Sequence, residues 1–470
     1  MSTFLPVAVV IAYIILLTFV AIRARTAHEF EEFSLAKRSL PLALVFGSLA
    51  ATYVGPVFSI GFVGKGFKSG FLFLGIGLAY SIQNILVGLF IAPRLRQLKN
   101  CHTLGDVIGQ KYDRNCQIVA GIISVGLCAG FSAVMANAGG TVLRNVFQLP
   151  NGLAVAIVVA VTALYTTFGG LRASVITDGF QFSAFATLLP VTLILALAFN
   201  LKGGVNEFGD TALVATYEGF KSTSSLEIIG FIIAFFLGET LIPPYANRAL
   251  ASKSTKVSRN GFIMAGLFSI VWFTVMISLG IVARLDRNIP NDVLENNVLL
   301  DLVKSIMPAS GYALLLVVLI SIVMSSLDSL LNAGAVAFTQ DIIKPFINLS
   351  NSTALNIGRA ATIIIAVISA ICALAVENIV NGLLTCYAIW SPAILPALII
   401  GLWTKNPKPL AGILSMGVGS AIAVVLWIIL KFFLGFSVDS SLPIVIIPSL
   451  AFSLCAYFLG HWLGKIKYGD

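Results

Sequence analysis

The sequence predicts an all-α protein that crosses a membrane many times, and three observations carry that prediction. Of its 470 residues, 58% are hydrophobic and only 10% are charged, whereas soluble domains carry about a quarter charged residues. Apolar runs recur along the whole chain at close to the ~20 residues a helix needs to cross a bilayer. The runs are continuous rather than alternating in short segments, which favours helices over barrel strands. The same balance excludes a soluble enzyme, a disordered chain, a coiled coil and a secreted disulfide scaffold.

Taken in order, the apolar stretches place about thirteen spans, near 3–23, 41–63, 71–93, 117–147, 151–169, 176–200, 225–247, 258–284, 309–338, 356–376, 378–402, 409–430 and 443–464. The first has no basic residue ahead of it and no small-residue cleavage site, while Arg23 and Arg25 follow it. It therefore reads as a retained span rather than a signal peptide. An odd number of spans sends the termini to opposite sides, and alternate loops hold twenty of the 29 Lys and Arg residues, Arg248 among them. By the positive-inside rule those loops face the cytoplasm, which puts the N-terminus outside and the C-terminus inside a plasma membrane. The net charge of +9 is thus an orientation signal, and no nucleic-acid partner is expected. The six cysteines show neither zinc-ligand spacing nor a paired extracellular pattern, so no disulfide is expected.

Two spans contain strong helix breakers. The second reads Ser48-Leu49-Ala50-Ala51-Thr52-Tyr53-Val54-Gly55-Pro56 and the seventh Leu237-Gly238-Glu239-Thr240-Leu241-Ile242-Pro243-Pro244. They lie five spans apart, and because five is odd the halves they open must run in opposite directions through the membrane. Pro190 in the sixth span is matched by Pro392 and Pro396 in the eleventh, so the last element of each half is also prone to kink. Gly and Pro are common in membrane helices, and one break would mean little. Two matched pairs at one offset instead mark a 5+5 inverted-repeat core of the kind that secondary transporters build around a midplane site. The chain then divides into an extra helix and cytoplasmic loop (1–40), a first repeat (41–200), an extracellular loop (201–224), a second repeat (225–402) and two accessory helices (403–470).

Acids inside spans cost ~2.5–3.5 kcal/mol at a helix centre and need an account. They are Asp178 at the cytoplasmic start of the sixth span, Glu239 at the second break and Asp328 in the ninth. At 3.6 residues per turn, Ser321, Ser325, Asp328, Ser329 and Asn332 share about 100° of arc. Hydroxyls on such a stripe, facing carbonyls freed at the first break, would suit dehydrated Na⁺, a hard cation that takes oxygen ligands. The plainer possibility is that the serines bond back to their own helix and pack it closely. His28, His102 and His461 lie scattered in loops or at a span end and read as solvated surface groups, and no nucleophile and base arrangement marks an enzyme.

Several segments resemble the sodium:solute symporter family. They are Phe33-Ser34-Leu35-Ala36-Lys37-Arg38-Ser39-Leu40, Thr103-Leu104-Gly105-Asp106-Val107, Gly169-Gly170-Leu171-Arg172 running on to Thr177-Asp178-Gly179-Phe180-Gln181, Asn247-Arg248-Ala249-Leu250-Ala251-Ser252-Lys253-Ser254, and Ser325-Ser326-Leu327-Asp328-Ser329 with Phe338-Thr339-Gln340-Asp341-Ile342. The resemblance implies a leucine-transporter-like fold and Na⁺-coupled uptake of a small organic solute, an amine, amino acid or carboxylate, by alternating access. It implies a Na⁺ site made by the carbonyls of Ala51, Val54 and Ile322 and the hydroxyls of Ser325 and Ser326. Asp178, with Ser329, is implied near the exit of the ion or in an additional ion site. The solute pocket would fall on Thr52, Tyr53, Phe58, Tyr80, Ser81, Gly238, Glu239 and Tyr245. The local pattern Ala-Thr-Tyr-Val-Gly followed by Tyr245-x-x-Arg248 is most similar to the choline-transporter branch, although Ile242 stands where that branch is expected to place an aromatic. H⁺ coupling through Glu239 or Asp178 is the alternative, and a membrane sensor built on a transporter fold is another. The implied partners are Na⁺, the solute and the lipid bilayer; a monomer suffices for the mechanism and the oligomeric state stays open.

Overall fold

The computed structural model describes residues 4–23, 27–201 and 204–468; Arg25, one of the orientation charges, lies outside them. Among the described residues the architecture is helical throughout, and extended pairing is confined to one bridge between Leu40 and Ser252. The chain runs through α1 (Phe4–Arg23), α2 (Phe30–Leu35), α3 (Leu42–Tyr53), α4 (Val57–Ser69), α5 (Leu72–Gln97) and α6 (Leu104–Lys111). It continues through α7 (Arg114–Phe147), α8 (Asn151–Asn200), α9 (Val205–Ser222), α10 (Ser225–Leu237), α11 (Pro243–Ala251) and α12 (Thr255–Ala283). The remainder is α13 (Val298–Ile306), α14 (Ala309–Ile343), α15 (Asn351–Ala373), α16 (Ile379–Trp403), α17 (Pro409–Phe433) and α18 (Val438–Tyr468).

Nine of these helices are long and apolar enough to cross a membrane, or eleven when each of two sharply bent pairs counts as one span, against the thirteen expected. The difference has physical causes. The α8 run carries two expected spans, divided at Gly170, where φ is 62° and ψ is −168°. Only glycine adopts that conformation cheaply, and an added Cβ there would also meet the Cα of Phe33 at 2.8 Å. Within the stretch 201–224, expected as a loop, Val205–Ser222 forms α9, bent by 102° against α10. Its Ala212, Ala215 and Gly219 are buried while Leu213 and Tyr217 are 71% and 70% exposed, a two-faced helix of the kind that lies along a membrane surface.

Both predicted breaks are present. The first bends the chain by 58° between α3 and α4. The second spans Gly238 to Ile242 between α10 and α11, with Leu241 held at a φ of 52°, a left-handed conformation that is strained for a branched side chain. Pro190, Pro392 and Pro396 lie inside their helices rather than ending them. The helix α14 is the most enclosed of the long helices, buried from Leu315 through Ala337 almost without interruption. A helix apolar or buried all round must sit at the centre of the bundle, and that position brings its polar stripe against α3 and α8.

Candidate functional site

The first break exposes the last carbonyls of α3, which no following N–H closes into the helix. Pro56 contributes no donor of its own, and the Val54 carbonyl instead accepts from Ser59 Oγ at 2.6 Å, which Trp272 Nε1 approaches at 3.2 Å. Across this break lies α14. A Cβ added to Gly55 would stand 2.8 Å from Ser326 Oγ, so the missing side chain is what lets the two elements meet. Ser326 Oγ is buried and has no hydrogen-bond partner among the described residues. Ile322, one turn earlier, lies within continuous helix, so its carbonyl is already in the ladder and has one lone pair to spare.

Beside this junction stands a fully buried ionic network. Asp178 Oδ2 accepts from Ser48 Oγ at 2.5 Å and from Arg248 Nη2 at 3.2 Å, while Oδ1 accepts from Ser325 Oγ at 2.6 Å. Both Asp178 and Arg248 are 0% exposed. Arg248 also donates from Nε to Ser48 Oγ at 2.9 Å, from Nη1 to the Pro244 carbonyl at 2.9 Å and from Nη2 to Ser329 Oγ at 2.5 Å. Asp328 accepts from Tyr165 at 3.1 Å, Ser174 at 2.9 Å and Ser329 at 3.1 Å. With both acids ionised, the cluster of Asp178, Asp328 and Arg248 carries one net negative charge. A site in low dielectric balances such a charge with a cation or a proton.

The second break places Glu239 in a different setting. It is 4% exposed, and Tyr387 donates to Oε1 at 2.6 Å, Tyr80 to Oε2 at 2.6 Å, and Tyr245 to Oε2. Tyr387 reaches it because Gly238 leaves room, since a Cβ there would overlap the tyrosine ring at 2.1 Å. Between the two breaks is a cavity of about 20 Å³ bordered by Thr52, Gly55, Phe58, Phe131, Glu239 and Tyr245, with Ile242 and Ser326. That volume holds about one water.

Several expectations need correction. Arg248 is not a loop cation but the buried partner of Asp178, because an arginine at a span end can turn inward to an acid as well as snorkel to water. Ser325 donates to Asp178 and keeps its oxygen lone pairs as acceptors, whereas Ser321 bonds both Tyr13 at 2.7 Å and the Val317 carbonyl. Ser81 turns away from the cavity to Ser269 at 2.8 Å, while Tyr53, Tyr80 and Gly238 form the layer behind its walls. His102 is not a solvated group. Its Nδ1 lies 2.8 Å from Ser34 Oγ, and burial, with Lys344 and Arg38 nearby, pushes its pKa down to about 4. His461 stacks on Tyr457, which leaves only His28 as expected. Phe131 and Tyr387 were not foreseen, because each is one aromatic residue within an apolar run, distinguished only by what it meets across helices.

A bundle of membrane helices with two broken helices facing one another across a central cavity, and a buried ionic network beside the first break, defines a secondary transporter of the leucine-transporter-like fold. The sodium:solute symporter family matches residues 33–419, and the chain belongs to that family. It is 25% identical to the sodium/pantothenate symporter of Escherichia coli over 99% of this chain and 97% of the relative. It is 22% identical to the sodium/glucose cotransporter of Vibrio parahaemolyticus over 83% of this chain and 78% of the relative. Its fold matches a Na⁺-coupled sialic acid symporter, solved in a substrate-bound outward-open state, with a TM-score of 0.81 at 16% identity over 98% of both chains. It also matches Mhp1, a nucleobase-cation-symport-1 family transporter in a closed conformation, with a TM-score of 0.60 at 12% identity over 93% of this chain and 95% of the other. The chain is thus a multi-pass membrane protein that couples Na⁺ to the symport of a small organic solute.

Proposed function

We propose that Na⁺ binds at the junction of the first break with α14, on the carbonyls of Ala51, Val54 and Ile322 and the hydroxyls of Ser325 and Ser326, and drives solute uptake into the cell. The observation that carries this reading is the buried, unpartnered Ser326 Oγ set directly against Gly55 of the broken helix. A hydroxyl in that position lacks a donor or an acceptor, and a hard cation between it and freed carbonyls supplies what is missing. Asp178 with Ser329 forms the adjoining exit or additional ion site, supported by the net charge of the network. The solute occupies the neighbouring cavity between Thr52, Phe58, Glu239 and Tyr245, backed by Tyr53 and Tyr80. Residues 41–200 and 225–402 act as the two repeats that rock about this centre, flanked by 1–40 and 403–470.

The distribution of lysine and arginine supports an N-terminus outside and a C-terminus inside a plasma membrane. On that orientation Lys65 and Glu295, 3.2 Å apart, together with Asn378 at 3.3 Å from Glu295, form an extracellular seal. Close packing reinforces it, since a Cβ on Gly64 would stand 2.5 Å from the Glu295 carbonyl oxygen. The small cavity and this seal together describe a conformation closed to the outside, and solute entry requires α4 to move away from the Glu295 turn.

The test is Na⁺-dependent thermal stabilisation of the purified protein, followed by uptake in proteoliposomes. Replacing Ser326 by alanine should raise the half-saturating Na⁺ at least tenfold, and Ser325→Ala should do so to a smaller extent. Unchanged Na⁺ dependence in both variants would remove the ion from this position. Stabilisation that ignores Na⁺, together with uptake that follows a pH gradient, would replace Na⁺ with H⁺ at Glu239 or Asp178.

A further inference from the structure

An ionised carboxylate surrounded by rings needs both hydrogen bonds and opposite charge in place of the water it has lost. Glu239 has the first and lacks the second. Three phenols fill three of its roughly four acceptor directions. The ion pairs among the described residues are Lys37 with Glu32, Lys65 with Glu295, Arg248 with Asp178 and Arg284 with Glu218, so Glu239 has no cationic partner among them. It borders the central cavity, and Oε1, which accepts only from Tyr387 among the described residues, keeps one acceptor site unused.

The poles of the broken helices point the same way. Both α3 and α10 end at the cavity, and a helix C-terminus presents carbonyls and partial negative charge. The opposing N-terminal poles, which in other proteins offer N–H groups to an anion, are blunted here. The helix α11 opens with Pro243 and Pro244, which have no N–H, and the next two donors, Tyr245 and Ala246, are already bonded to the Ile242 carbonyl at 2.9 and 3.1 Å. Pro56 likewise stands at the head of the second half of the first broken helix. The side walls include the aromatic residues Phe58, Phe131 and Tyr245 beside the aliphatic Val57, Met135 and Leu383, and an aromatic lining suits a cation better than an anion.

We infer that the solute is an organic cation bearing at least one N–H, its ammonium group seated on Glu239 between Phe58, Phe131 and Tyr245. This rests on the reading of the central cavity as the solute site. The N–H matters because the unused carboxylate acceptor is satisfied only by a donor, which a quaternary ammonium does not possess. Selectivity against anions follows from the missing helix donors, and selectivity against neutral solutes from the unbalanced charge of Glu239.

The experiment uses the full-length protein in detergent and four small probes of related shape: propylammonium, tetramethylammonium, propionate and propanol. Thermal stabilisation by each is measured with Na⁺ and with K⁺ in its place. Propylammonium should stabilise in Na⁺, with half-saturation at least tenfold lower than for tetramethylammonium, and propionate and propanol should not stabilise. Glu239→Gln should raise the propylammonium half-saturation at least tenfold while leaving stabilisation by Na⁺ alone in place. Should that variant fail to fold, the wild-type ranking decides by itself. A Na⁺-dependent response to propionate or propanol equal to or above that to propylammonium, or no response to propylammonium, overturns the inference and leaves the Na⁺ site standing. Loss of all Na⁺ dependence, including that of the wild-type protein alone, instead overturns the reading of the ion site.

Discussion

The ion pair between Arg248 and Asp178 gives the sharpest quantitative test of the buried network. Substituting methionine for Arg248 keeps much of the side-chain volume and removes four donated hydrogen bonds, to Ser48, Pro244, Asp178 and Ser329. Asp178 would retain only the hydroxyls of Ser48 and Ser325 against a charge that is wholly inside the protein. Removing one partner of a buried pair costs about 3–5 kcal/mol, because the other is left uncompensated. Substituting Asp178 by asparagine as well removes that orphaned charge, so the double variant should be more stable than the sum of the single losses by about 2–3 kcal/mol. The assay is denaturant-induced unfolding of wild type, both single variants and the double variant in one detergent without Na⁺, read by tryptophan fluorescence. Additivity within about 0.5 kcal/mol would show that the two groups do not sense one another. Arg248 would then not compensate Asp178, and the account of the network's net charge would fail with it.

Two further outcomes follow from local features. Gly170→Ala should destabilise the protein by more than about 2 kcal/mol, since it combines left-handed strain with an overlap on Phe33; a melting temperature equal to that of wild type would contradict the turn geometry. The cluster around α6 predicts an unusual pH response, because burial raises Asp106 to about 6 and lowers His102 to about 4. Asp106 holds its proton more firmly when folded, so its contribution is present below its ordinary pKa near 4 and is lost as pH rises through 6. His102 binds its proton less firmly when folded, so its contribution is present above 6.5 and is lost as pH falls towards 4. The two oppose one another between pH 4 and 6.5, and replacing both buried acids of the cluster, Asp106 and the Asp341 that shares Gln117 with it, by asparagine should unmask a stability that climbs with pH across that window. A flat profile in the variant would refute the assignment.

The features legible in the chain were those written in short segments. Continuous apolar runs announced the membrane helices, because each must satisfy its own backbone hydrogen bonds in lipid. Gly55-Pro56 and Pro243-Pro244 announced the breaks, because proline lacks a donor and glycine permits close approach. The stripe on α14 was visible because five polar residues at helical spacing cannot all face hydrocarbon. Less visible were α9, whose small buried face of Ala212, Ala215 and Gly219 resembles loop composition, and the turn at Gly170, where two expected spans meet within one residue.

What the sequence determined by itself was therefore the class of fold, the position of both ruptures and the identity of the acids that need partners. Those properties depend on neighbours along the chain, and periodicity and steric rules fix them locally. The tertiary structure alone decided which partners the acids receive. Asp178 obtains an arginine from seventy residues away and Glu239 three tyrosines from three separate helices, pairings that arise from crossing angles and the close approaches opened by Gly55 and Gly238. Charge compensation in a low-dielectric interior is settled over distances of a few ångströms in space, and no spacing along the chain encodes it.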